Sequence, residues 1–427
     1  MRLAFVICIL CYTSDVVRSD NYAKDNNDVE KLFEFVWEAL EAIAKFVPLH
    51  PDTDLNISQL LNKYGYPFEE HNVTTEDGHI LTMHRIAHGR NETITEKKRP
   101  VVFMKHCVAC SSMIFLYSGP ENSLAMLLAD QGYDVWLCNT RGNIYTSHTT
   151  LDPNKDSDYW DFSFHEKGYY DIPASVDYML KYTKVDNFTF LGFSQGTTEG
   201  LVFTTMRPEY VEKINLMALL SPVAYMGNSS GLIPRLLSEN QELIELTFGL
   251  LGIHSVPFTP LIPLLGKVFC NDASSVQDVC PLIMDFIVGF DLPQVNKTLL
   301  TVFLASSPDG ISIKELYHFG QEIRSGYFRQ YDYGVGNLIR YGSLEPPSYN
   351  VSKITCPVAA YYGKNDFFVA TKDVEHLFQQ LPNVVVSHLL EYEAFNHLDF
   401  VTAIDVKAMV YDMLFETIKK FNPPNKS

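Results

Sequence analysis

The chain has 427 residues, 46% of them apolar and 20% charged, with a formal net charge of −18. An acidic surplus of that size argues against nucleic-acid binding and against docking on an anionic membrane surface. It suits a globular protein acting on neutral substrates, with room for one large domain carrying an insertion or for two domains.

Met1-Arg2, the apolar run Leu3–Cys11 and the small residues before Ser19 read as a signal peptide, residues 1–19. The apolar run is too short to span a bilayer, and no other stretch reaches the roughly 18 residues a membrane helix needs, so no transmembrane segment is expected. The mature chain is expected to be secreted, with the lysosomal lumen as the alternative. Sequons at Asn56, Asn72, Asn91, Asn228, Asn296 and Asn350 are glycosylation candidates on that route. A further one, Asn187, sits at the mouth of a core strand and is expected to be too buried. Cys270 and Cys280 flank a polar loop and are the expected disulfide. Cys138 and Cys356 lie in apolar runs and read as small buried hydrophobes. Cys107 and Cys110 read as two free thiols or a local disulfide; a redox or metal pair has no other support.

Residues 20–50 carry Val29, Leu32, Phe33, Val36, Leu40, Ile43 and Val47 at helical spacing. This predicts an amphipathic helix docked on the main body, a lipid-surface role being the lesser reading. Asn56 to Tyr66 reads as a helix stopping at Gly65, and His71 to Ala87 as a hairpin about Glu76-Asp77-Gly78. Strands at Val101–Lys105, Tyr133–Leu137, Phe188–Leu191 and Leu216–Leu220 alternate with helices at Leu124–Gln131 and Ile172–Tyr182, the latter with Pro173 in its first turn. Alternation of this kind means a parallel α/β sheet. From Val223 to Pro347 it stops, and the residues predict an inserted, mainly helical cap without clear strands. It resumes with a strand at Val358–Tyr362, a helix at Lys372–Gln380, a strand at Val384–Leu390 and a terminal helix at Asp405–Phe421. The expected division is a core in two parts, 51–222 and 348–427, interrupted by a cap or lid, 223–347.

The chemistry centres on Gly192-Phe193-Ser194-Gln195-Gly196, between a strand and a helix. Strand, G-x-S-x-G and helix make the nucleophile elbow of an α/β-hydrolase fold. The glycines let strand and helix pass closely, the Ser194 hydroxyl projects above the sheet, and the Gln195 backbone N–H is available to an oxyanion. A serine nucleophile needs a base, and the base an orienting carboxylate. In this fold they follow in the order Ser, Asp, His. Asp366 lies in the loop after the Val358–Tyr362 strand and His397 in the loop after the Val384–Leu390 strand, so both emerge at the elbow's end of the sheet.

These residues carry a resemblance to the acid lipase family, the group of gastric and lysosomal acid lipases. It runs over nearly the whole mature chain from about Asn56. It includes Thr75-Glu76-Asp77-Gly78-His79, Leu128-Ala129-Asp130-Gln131-Gly132-Tyr133-Asp134-Val135-Trp136, Asn139-Thr140-Arg141-Gly142-Asn143, the elbow with Thr197-Thr198, and Asn396-His397-Leu398-Asp399-Phe400. The resemblance implies a serine esterase of neutral lipids working at a lipid–water interface, with Ser194, Asp366 and His397 as triad and a lid within the cap. It also implies that Cys270–Cys280 corresponds to the family's cap disulfide and that Val108 supplies a second oxyanion N–H. No metal or organic cofactor is implied. One departure stands out. Where the family has His-Gly and two apolar residues, this chain has His106-Cys107-Val108-Ala109. Glycine there allows conformations that other residues avoid. The alternative reading is therefore a weakened or inactive lipid carrier on the same fold.

Overall fold

A computed structural model of the chain describes residues 27–90, 92, 98–256 and 261–424. The expected signal peptide, residues 1–19, and the Asn91 sequon lie outside them. The strands are β1 (Glu69–Thr74), β2 (His79–Ile86), β3 (Val101–Lys105), β4 (Asp134–Cys138), β5 (Thr146–His148), β6 (Phe188–Phe193), β7 (Ile214–Leu220), β8 (Ser255–Val256), β9 (Ile311–Ser312), β10 (Val358–Tyr362) and β11 (Val384–Leu389). Nine of them form one sheet in the order β1-β2-β4-β3-β6-β7-β10-β11, with β5 added on β2. From β4 to β11 every pairing is parallel; β1, β2 and β5 pair antiparallel at one side.

Every residue of β3, β4, β6 and β10 is buried, which a parallel sheet requires because helices cover both its faces. Among the described residues the longer helices are α1 (Asn27–Ala44), α2 (Ile57–Lys63), α3 (Leu124–Asp130), α4 (Ile172–Thr183), α5 (Gln195–Met206), α6 (Leu232–Glu239), α7 (Gln241–Leu251), α8 (Leu261–Phe269), α9 (Val279–Val288), α10 (Leu300–Ser306), α11 (Ile313–Ser325), α12 (Thr371–Gln380) and α13 (Asp412–Phe421). Alternate strand residues feed two cores. Val102, Met104 and Leu191 pack with Leu124 and Leu128 of α3 and Leu414 and Ile418 of α13. Phe103, Phe190 and Met217 pack with Ile172 and Val176 of α4, Leu201 of α5 and Val374 of α12.

Between β7 and β10 the chain leaves the sheet for α6 to α11. This segment is not wholly without strands, because β8 and β9 pair as a two-residue antiparallel ribbon. At two residues each they are too short to show a period of two. Cys270 and Cys280 are bonded to each other and join the end of α8 to the start of α9. Cys138 and Cys356 are free and buried.

Other expectations shift for physical reasons. Pro173 lies in the first turn of α4 as expected, but helical chain already runs from Phe164, and a wide turn at Lys167–Asp171 precedes α4. A wide turn tolerates the N–H that proline lacks. Asn187 is exposed rather than buried, because the sheet interior begins one residue later at Phe188. β5 has only three residues, below the length that shows periodicity. α1 lies beside α8, where Trp37, Ala44, Val47 and Leu264 line a shared cleft, while its Val36 and Ile43 and the following Phe46 face solvent. α2 begins at a capping box in which Asn56 and Gln59 bond each other's backbone N–H groups.

Candidate active site

β6 ends in the Ser194 turn, and the turn is a close fit. A Cβ on Gly192 would lie 2.7 Å from the carbonyl carbon of Gly196, and one on Gly196 would lie 2.3 Å from the Lys105 carbonyl oxygen. No real side chain survives such contacts, so glycine is required at both positions. Ser194 itself holds φ +55° and ψ −123°, a conformation non-glycine residues adopt only under constraint. The constraint is visible: its N–H donates to Leu220 O at 3.0 Å, and its carbonyl accepts from the Thr197 N–H at 2.8 Å and the Thr197 hydroxyl at 2.6 Å.

Three sequence-distant groups meet above this turn. His397 Nε2 lies 2.7 Å from Ser194 Oγ, and His397 Nδ1 lies 2.8 Å from Asp366 Oδ2. Asp366 Oδ1 accepts the backbone N–H groups of Phe368 and Val369, both at 2.9 Å. A carboxylate so placed can only accept, which puts the imidazole proton on Nδ1 and leaves Nε2 bare to take the serine proton. The ring is flanked by Phe193 and Phe368 at centroid distances of 5.6 and 5.0 Å. All three polar side chains are buried.

Ser221, just past β7, belongs to the same network. Its hydroxyl donates to Asp366 Oδ2 at 2.6 Å and lies 3.0 Å from His397 Nδ1. Its φ is +51°, and its N–H is bonded to Tyr361 O at 2.8 Å. The sequence held one signal for it: a polar residue ending the apolar run Leu216–Leu220. Nothing there showed that its hydroxyl meets Asp366.

Beneath the elbow, Lys105 Nζ meets Glu199 Oε2 at 3.0 Å and Thr140 Oγ1 at 2.8 Å, all buried. Burial pushes the Glu199 carboxyl up, but Lys105 and then Lys167 outweigh it and hold the group below its ordinary range. Gln195 Nε2 donates to Glu199 Oε1 at 2.9 Å, so the ion pair also fixes the residue after the nucleophile. The backbone N–H groups of Gln195 and Val108 have no acceptor among the described residues. Cys107 and Cys110 are bonded to each other. The residue of that loop with positive φ is Ala109, at +51°, and not Cys107. The side chain at 107 therefore occupies a backbone conformation open to any residue.

The His397 loop meets the segment between β7 and β10 at three buried carboxyls, Asp285, Asp291 and Asp399. Asp291 N–H donates to Asp285 Oδ2 at 3.2 Å, Tyr392 Oη to Asp291 Oδ1 at 2.8 Å, and Asn396 N–H to Asp399 Oδ2 at 2.6 Å. No lysine, arginine or histidine pairs with them among the described residues. Burial first, and then the neighbouring acids, push Asp399 up to about 8 and Asp285 up to about 6.

The sequons differ in setting. Asn56, Asn72, Asn228 and Asn350 are exposed, and Asn296 is half-buried. The Asn228 amide donates to Asp373 Oδ1 at 2.7 Å.

Comparison with known proteins follows the same lines. Residues 57–119 match the partial alpha/beta-hydrolase lipase region and residues 106–238 the alpha/beta hydrolase fold. Lipase 3 of Drosophila melanogaster is 38% identical over 84% of this chain and 91% of its own length. Human gastric triacylglycerol lipase is 34% identical over 88% of this chain and 94% of its own length. A soluble variant of monoglyceride lipase from Saccharomyces cerevisiae superposes with a TM-score of 0.51 at 14% identity, over 88% of this chain and 99% of that one, a likeness of fold alone.

Two predictions follow from the buried charges. Lys105→Met leaves Glu199 without its nearest cation, and urea unfolding at pH 7 should show a loss of about 3 kcal/mol or more. The raised carboxyls bind protons more tightly folded than unfolded. Their stabilisation is complete below the unfolded carboxyl range near pH 4 and is lost as pH rises through about 6 and then about 8. A tenfold change in proton affinity is worth about 1.4 kcal/mol, so the contribution of these carboxyls to the urea midpoint should fall measurably from pH 4 to pH 8, while buried imidazoles held low, such as His79 and His84, contribute in the opposite direction. Asp399→Asn, which keeps an acceptor and adds a permanent donor, should flatten that fall.

Proposed function

Since this chain belongs to the α/β-hydrolase lipase family that has gastric triacylglycerol lipase among its members, it is a carboxylic ester hydrolase, and we propose that it cleaves neutral lipid esters with Ser194 as nucleophile. The observation that carries the reading is the unbroken chain Asp366 Oδ2, His397 Nδ1, His397 Nε2, Ser194 Oγ, with contacts of 2.8 and 2.7 Å.

Ser194 Oγ attacks the ester carbonyl carbon while His397 Nε2 takes its proton. Asp366 keeps the imidazole oriented and stabilises its positive charge. The carbonyl oxygen becomes an oxyanion, received by the free N–H groups of Gln195 and Val108. As the tetrahedral carbon collapses, the bond to the leaving alcohol breaks and His397 returns the proton to it. Water then enters, loses a proton to His397, attacks the acyl carbon and releases the fatty acid, while Ser194 recovers its proton. Ser221 gives Asp366 a further donor, holding the carboxylate in line with the imidazole.

A neutral lipid substrate is supported by the cap. Phe290 packs at 5.9 Å against Phe367, the residue after Asp366, and at 6.3 Å against Phe286. Phe286 and Phe290 are both exposed, as are Leu282, Ile283, Leu243, Leu246 and Leu250. Apolar surface of this kind beside a buried nucleophile suits substrates presented as a lipid surface. A secretory route is supported by two disulfides and by exposed sequons at Asn56, Asn72 and Asn350. No described helix is long and apolar enough to cross a membrane.

The test is hydrolysis of p-nitrophenyl esters of increasing chain length and of triolein by the secreted protein. Ser194→Ala should lower kcat by on the order of 10⁴-fold or more; retained activity sinks the assignment. Ser221→Ala removes a charge-assisted hydrogen bond worth about 1.5–3 kcal/mol, so kcat should fall about tenfold or more with KM nearly unchanged. A change in KM alone would mean that Ser221 shapes substrate binding instead.

A further inference from the structure

The loop after β3 is held by the local disulfide, one of the two readings the sequence left open. The bond between Cys107 and Cys110 closes a ring of four residues around Val108, and both cysteines are buried. His106, immediately before it, is buried as well. Its Nε2 accepts the Thr140 N–H at 3.2 Å and lies 3.4 Å from Asn143 Nδ2, while its Nδ1 faces the Cys107 carbonyl oxygen at 2.8 Å. A backbone donor at Nε2 requires that nitrogen to be bare. The ring proton is therefore on Nδ1, and Nδ1–H donates to Cys107 O.

The consequence is geometric. The carbonyl of Cys107 and the N–H of Val108 share one planar trans peptide and point in opposite directions. Fixing the carbonyl on His106 therefore aims the Val108 N–H the other way, where it has no acceptor among the described residues. The far side of the ring is held too, since the cap's Asp309 donates its N–H to Ala109 O at 2.7 Å. The base of the loop abuts the elbow, for the Lys105 and His106 carbonyls are the atoms a Cβ on Gly196 would strike.

We propose that His106 and the Cys107–Cys110 bridge are positioning residues for the oxyanion. Together they hold the Cys107–Val108 peptide so that the Val108 N–H stays aimed at the substrate oxygen as it gains charge. The inference rests on the serine-esterase reading above. The departure from glycine at 107 is then compensated rather than damaging, because a covalent ring restrains the loop that carries the donor. Burial pushes the His106 imidazole down to about 3, so the ring stays neutral and its Nδ1–H stays in place across the pH range of an ester assay.

The experiment uses the full chain secreted from an oxidising host, with kcat and KM on p-nitrophenyl butyrate and the inhibition constant of an alkyl trifluoromethyl ketone, which forms the oxyanion on the serine. In Cys107→Ser/Cys110→Ser the donor is loosened rather than removed. kcat should fall about 10–100-fold, below the 10²–10³-fold cost of losing an oxyanion donor outright. KM should stay within about threefold, and ketone affinity should weaken by the same factor as kcat/KM. His106→Asn keeps an N–H near the Nδ1 position and should retain clearly more activity than His106→Ala. A folded bridge-free protein with kcat within about twofold of the parent overturns the role of the bridge. Equal activity in His106→Asn and His106→Ala overturns that of His106, and this pair decides the matter if the bridge-free protein is not secreted. Activity surviving in Ser194→Ala would instead overturn the esterase reading, so the two failures are distinguishable.

Discussion

The approach of Gly196 to the Lys105 carbonyl is the contact on which the site depends. β3 and β6 are neighbours in the sheet, and α5 must start directly from the end of β6 without displacing the end of β3. The absence of a side chain at 196 lets the two backbones meet. Ser194 is then forced into a strained turn, and the loop leaving β3 is brought beside it. Lys105 fills a second role at the same place: its side chain passes under the elbow to Glu199 on α5. A buried ion pair of this kind adds little to net stability but penalises any other arrangement, because separating the partners leaves a bare charge in the interior.

Above the sheet the logic changes from close packing to polar satisfaction. Asp366 uses both oxygens fully, on Phe368 N–H, Val369 N–H, His397 and Ser221. A carboxylate with that many donors has one orientation, and the imidazole inherits it. The loop carrying His397 is fastened differently. Its Asp399 faces Asp291 and Asp285 of the cap without a cation, so protons take the place that cations fill elsewhere in the molecule. The segment between β7 and β10 and the loop of His397 thus meet through carboxyls that burial pushes up.

The loop after β3 shows how a departure from a family pattern can bring its own restraint. Glycine at 107 would supply freedom; Cys107 removes freedom and adds a covalent tie to Cys110. The one left-handed residue of the loop is Ala109, whose small side chain makes that conformation tolerable, and its carbonyl is held by the cap through Asp309.

Most of the sheet was legible in the chain, because apolar runs such as Val101–Phe103 and Leu216–Leu220, alternating with helices, suit covered parallel strands, and the regular helices between them follow from period and caps. The sequence by itself also determined the elbow, where glycines two residues either side of Ser194 have a steric reason legible at once. Asp366 and His397 were legible as loop residues following strands in the right order, although the strand before His397, β11, proves to be a half-exposed edge strand. Tertiary structure decided the rest. Ser221 is one serine among many until β7 ends beside Asp366. His106 and Thr140 are 34 positions apart, and only the pairing of β3 with β4 brings them together and fixes the imidazole tautomer. The pairing of Cys107 with Cys110 was left open because spacing allows a bond without requiring one. The burial of Asp285, Asp291 and Asp399 was not legible, since burial of an acid comes from what folds over it and leaves no mark on its neighbours in the chain.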